Sequence, residues 1–88
     1  MSLEELQDHL NADPDLAKVR IQLNYAYEVI SLVLNRVPGQ HVDYSILKDK
    51  ILDIFKTQKL DSPVKKIICI GRVAGSQKAE YREEFLKL

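Results

Sequence analysis

The chain has 88 residues, with thirteen Lys and Arg against thirteen Asp and Glu, 45% hydrophobic and 30% charged. This describes one small globular domain; it excludes a disordered chain, and zero net charge argues against a globally basic nucleic-acid binder. A lone cysteine, Cys69, excludes an internal disulfide, so an apolar core must supply the stability.

Pro14, Pro38-Gly39 and Pro63 divide the chain into four segments, and each is read as helical. The first covers about residues 2–11. Ser2 followed by Glu5 is a capping box, and Leu3, Leu6 and Leu10 line one face. The second covers residues 14–37 and opens on Asp13-Pro14, a cap acid before proline. Leu16, Val19, Leu23, Ala26, Ile30, Val33 and Val37 recur at spacings of three and four, and further apolar residues widen the stripe. That predicts the central, mostly buried helix of a bundle. The third covers residues 43–58, with Asp43 as cap and Tyr44, Leu47, Ile51, Ile54 and Phe55 inward.

The fourth covers residues 62–75 and opens on Ser62-Pro63. Gly71 marks a close approach by another helix, and Gly75 is placed as a left-handed cap. Residues 64–70 also read as a buried strand, since short apolar runs are ambiguous. That reading is set aside because no other segment looks like a strand to pair with. Residues 76–88 form a charged tail able to become helical, with Tyr81, Phe85 and Leu88 at helical spacing. The fold expected is all-α: one antiparallel up-down four-helix bundle with a short C-terminal tail.

No catalytic constellation is evident. His9 and His41 are isolated, Cys69 sits between isoleucines, and Glu83-Glu84 would diverge on a helix. No catalytic residue, metal or cofactor is expected. No apolar run is long enough to span a bilayer, and the acidic start lacks the layout of a secretory signal, so a cytoplasmic location is expected. Charge is unevenly spread. Residues 1–15 hold five acids and no Lys or Arg, and residues 56–78 hold six cations against Asp61 alone. The plain reading pairs these within the bundle. The functional reading turns the basic face toward an anionic partner, strongest over Arg72 to Arg82 where aromatic residues accompany the charge.

The stretch Ile70-Gly71-Arg72-Val73-Ala74-Gly75 resembles the Ile-Gly-Arg-x-Ala-Gly run near the end of the last helix in the class IIa (pediocin-like) bacteriocin immunity proteins, the enterocin A immunity family. The order of segments fits that family over the whole chain. The resemblance implies a small cytosolic four-helix bundle without enzymatic activity that protects the producing cell from a pore-forming peptide. It would recognise the bacteriocin-bound mannose phosphotransferase permease from the cytosolic side, with no nucleic-acid partner and with peripheral membrane association allowed. The last helix and tail would decide which peptide is resisted. Carried onto this chain, the partner-binding candidates are Arg72, inside the motif, with Lys78, Tyr81, Arg82 and Phe85 added by position and residue type. The neutral charge and the thirteen-residue tail depart from the family. The alternative is a small helical adaptor or nucleic-acid-binding module, for which the basic residues of the last segment speak.

Overall fold

Two of the four predicted helices form, and the segments expected to supply the other two contribute strands to a sheet. The computed structural model describes residues 1–86. The elements are α1 (Leu3–Ala12), a 3-10 turn at Pro14–Leu16, β1 (Val19–Ala26), β2 (Val29–Arg36), α2 (Tyr44–Thr57), β3 (Lys66–Val73) and β4 (Ala79–Leu86).

Both helices carry the caps that their sequences announce. Ser2 Oγ accepts from the Glu5 amide at 3.1 Å, and the Ser2 amide donates back to Glu5 Oε1 at 3.3 Å. Asp43 Oδ1 accepts from the Ser45 and Ile46 amides at 3.0 and 3.4 Å. Such caps each stabilise a helix by about 1 kcal/mol. Leu6 and Leu10 of α1, and Leu47, Ile51, Ile54 and Phe55 of α2, are buried.

The all-α four-helix bundle is overturned. Residues 14–37 are not a central helix: Val19, Ile21, Leu23 and Tyr25 alternate with Arg20, Gln22 and Asn24, and β1 pairs antiparallel with β2. Residues 62–75 are not a helix either, because Lys66–Val73 is a strand running parallel to β2. Ser62-Pro63 precedes it as a loop, where the Pro63 carbonyl accepts from the Tyr25 hydroxyl at 2.7 Å. Gly75 does adopt a left-handed conformation, φ +86°, but in the turn between β3 and β4 instead of at a helix end. The tail forms β4, antiparallel to β3, over Ala79–Leu86; its last two residues lie outside the described residues.

The result is an α/β fold of two layers. The sheet has the order β1-β2-β3-β4 and is two hairpins joined by one parallel pair. Parallel neighbours require a long crossover, and the segment carrying α2 supplies it. Leu6, Leu10, Leu16, Ile21, Ile30, Leu32, Leu34, Ile51 and Cys69 are essentially inaccessible and form the core between the helices and one sheet face. No described element covers the other face.

Both sheet edges are blunted. Asn11 of α1 acts as a surrogate strand for β1: its Nδ2 donates to the Ile21 carbonyl and its Oδ1 accepts from the Ile21 amide, both at 2.9 Å. Gln7 Oε1 accepts from the Leu23 amide at 2.8 Å. On the other edge, β4 is irregular where Gly71 pairs Tyr81 but Arg72 pairs Ala79, so Glu80 is an extra residue. This bulge places Glu80 and Tyr81 together on the helix side. Glu83 also lies there, with Lys48 Nζ 3.7 Å away. Bulges and inward charges of this kind discourage pairing with another strand.

The β1–β2 turn is Tyr27-Glu28, at φ +52° and +63°. Left-handed backbone costs an L-residue about 1–2 kcal/mol, and asparagine and glycine are the residues such turns favour. Tyr27 is 96% exposed, and the Glu28–Lys65 ion pair at 3.0 Å is exposed too. Little is therefore lost on replacement. The double change Tyr27→Asn with Glu28→Gly is expected to stabilise the fold by about 1 kcal/mol, read from the urea midpoint.

Candidate functional site

The uncovered sheet face is built from the residues that alternate with the core. Across the four strands, the register sets Arg20, Asn35 and Arg72 in one row and Gln22, Val33, Ile70 and Arg82 in the next. Asn24, Ser31, Ile68 and Glu84 form the third, and Ala26, Val29, Lys66 and Leu86 the fourth. The face carries four cations and one carboxylate. The chain is neutral, but its charge is divided between its two sides, with Glu4, Glu5 and Asp8 on α1.

The two ends of this face differ. At one end Glu84 is bridged by Lys66 at 2.7 Å and Arg82 at 3.2 Å, which holds its carboxyl below the usual range. At the other end Arg72 Nε donates to Asn35 Oδ1 at 2.7 Å, and its Nη2 donates to Gln22 Oε1 at 3.4 Å. Asn35 is itself oriented by donating to the Arg20 carbonyl at 3.2 Å. Neutral amides thus position the Arg72 guanidinium without neutralising it. Arg20 lies two strands away, about 10 Å by strand spacing. Neither arginine has a carboxylate partner among the described residues, and nor has Lys18. A shallow depression of about 630 Å³ joins Lys18, Arg20, Gln22, Asn35 and Arg72.

The sequence-predicted partner residues separate. Arg72 stands at the unopposed cationic end, and Arg82 lies one row away, shared with Glu84. Lys78 is exposed in the β3–β4 turn, where its amide donates to Ser76 Oγ at 3.2 Å. Tyr81 and Phe85 face the helices. Tyr81 stacks on Tyr44 with centroids 5.4 Å apart, and its buried hydroxyl has no hydrogen-bond partner. Burial pushes that hydroxyl up to about 12. Phe85 packs against the core with Lys48 Nζ 5.6 Å from its ring centroid. Arg20, Gln22, Asn35 and Lys18 were missed. The alternation over residues 19–25 is the signal that would have put Arg20 and Gln22 on one face.

Behind β4, Glu80 is held by a bidentate Arg36, at 2.9 and 2.7 Å, and by the Tyr44 hydroxyl at 2.7 Å. These bonds, Arg36 first, bring its carboxyl down to about 2. A depressed carboxyl contributes stability in full above its unfolded value, near 4.5, and loses it as pH falls toward 2. Glu80→Gln is expected to flatten the fall in urea midpoint between those two pH values.

Cys69 is fully buried, and burial pushes its thiol up to about 11, far from a thiolate at neutral pH. Among the described residues no His, Cys, Asp and Glu gather as a metal site. No helix is long and apolar enough to cross a membrane. Comparison with protein-family models, curated proteins and solved structures gives no match. The six residues that resemble the immunity proteins lie along β3 and its turn, not at the end of a last helix.

Proposed function

We propose that the protein is a non-catalytic binding module that engages an anionic partner through the open face of its sheet. The observation that carries this reading is the Arg20–Asn35–Arg72 row. Two arginines stand there without carboxylates, one of them pre-oriented by amides, in a chain whose net charge is zero. Arginine held in place loses less freedom on meeting an anion, so more of its attraction appears as affinity.

The test is an amide NMR titration with polyglutamate at low ionic strength. Shifts are expected at Arg20, Gln22, Asn35 and Arg72 and not along α1. Arg72→Gln should weaken binding about tenfold, the loss typical of one charged contact. Shifts spread over the helices, or none, would remove the reading. Protection from a pore-forming peptide is a second proposal resting on the six-residue match alone, which contains Arg72. It is tested by expressing the chain in a sensitive strain and challenging it with pediocin-like peptides.

A further inference from the structure

From the same face, and resting on the reading just given, we infer the class of partner: an acidic, amphipathic helix of another protein, laid across the sheet. Three observations converge on it.

The middle of the face is aliphatic. Val33 and Ile70 are direct neighbours and Ile68 follows on the same face, all half-buried although no described element covers them. An apolar centre with arginines at its border has the layout of a protein-binding patch, in which an apolar core is ringed by polar residues. Sheets that read single-stranded nucleic acid instead offer aromatic rings for bases to stack on. None of the residues set on this face is aromatic: Tyr25, Tyr81 and Phe85 point to the core side, and Tyr27 sits in the turn.

The edges refuse a strand. Asn11 and Gln7 occupy Ile21 and Leu23 on β1, and a bulge with inward Glu83 disturbs β4. A partner that had to borrow backbone hydrogen bonds from this sheet meets an obstructed stretch on each edge. A helix satisfies its own backbone and can lie on a face.

The dimensions suit one helix. Four strands of eight residues make a surface about 19 by 26 Å, on the order of 500 Å². A helix of about 16 residues is about 24 Å long and 10 Å wide. That area is small for a protein interface, so the complex belongs to the weak, exchangeable class. In this arrangement the apolar stripe of the helix rests on Val33, Ile68 and Ile70. Its carboxylates reach Arg20 and Arg72.

The experiment is selection from a displayed library of helical peptides about 16 residues long. Leucines are fixed on one face and the remaining positions are randomised among Glu, Gln, Ser and Lys. Enrichment of Glu over Lys is expected on immobilised wild-type protein. The selected peptide should bind with a dissociation constant on the order of 10 µM. It should lose about tenfold with Arg20→Gln or Arg72→Gln and with Ile70→Ser, while Lys56→Gln on α2 leaves it unchanged. Circular dichroism confirms that each variant is folded. Enrichment of Lys or of neutral sequences, binding indifferent to these changes, or no enrichment overturns the assignment. Oligouridine RNA is titrated in parallel. If RNA binds at Arg72 and no acidic peptide does, the helix is wrong and the anionic-partner reading stands. If neither binds and polyglutamate shifts nothing, both fall.

Discussion

Gly71→Ala is expected to destabilise the protein by about 2–3 kcal/mol, the upper part of the range for overfilling a packed site. A Cβ at Gly71 would press on Tyr44 Cε1 and come within 2.6 Å of its Cδ1. A flexible neighbour could give way, but Tyr44 cannot do so cheaply. Its ring is stacked on Tyr81 with an interplanar angle of 16°, and its hydroxyl donates to Glu80, which Arg36 holds from the other side. Moving Tyr44 therefore disturbs the stack and the ion pair together. The cause is separable from any effect on strand propensity. In a Tyr44→Ala background the clash is gone, so Gly71→Ala should then cost less than about 1 kcal/mol. Urea unfolding of the four proteins of this cycle measures the difference. Equal costs in both backgrounds would show that ring contact is not the reason for glycine.

Gly71 also shows how far local reading reaches. Its role as a point of close approach was legible, and a helix does approach there, through Tyr44. That Gly71 itself belongs to a strand was not legible. The 3-4 spacing over residues 14–37 combined residues from both faces of a hairpin: Val19, Leu23 and Ile30 point inward and Val33 outward. In a segment so rich in apolar residues both periods find matches. The punctuation that would have decided between them is missing, because Tyr27-Glu28 makes a left-handed turn without Gly or Asn. One misreading produced the next. Residues 64–70 find no strand partner in the sequence because that partner, β2, lies inside the segment whose spacing predicts a helix. By contrast α1 and α2 were legible because capping bonds are made within three residues. The site follows the same division. Arg72 was visible from its position, while its supports Gln22 and Asn35 come from 50 and 37 residues away. Pairing across such distances depends on register, which the alternation of a segment restricts only once that segment is known to be a strand.

Edge protection supplies the other large effect. Asn11→Ala is expected to cost about 2 kcal/mol, since it removes two partly buried hydrogen bonds and leaves both the Ile21 amide and carbonyl without their partner. Asn11→Asp separates the two bonds. A carboxylate still accepts from the Ile21 amide but meets the Ile21 carbonyl with an oxygen, so it should restore little of the lost stability at neutral pH. Amide hydrogen exchange supplies a local readout: Ile21 should lose protection in Asn11→Ala while Leu32, at the sheet centre, follows only the global change. The opened edge then presents alternating donors and acceptors beside the aliphatic residues of β1, and exposed edges of this kind recruit other strands. Sedimentation should accordingly show self-association that grows with concentration in Asn11→Ala, and grows further when Gln7→Ala also releases the Leu23 amide. A double variant that stays monomeric and keeps Ile21 protected would mean that the β1 edge is closed by something other than these two amides. The argument for a helical partner on the open face would then lose its support on that side of the sheet.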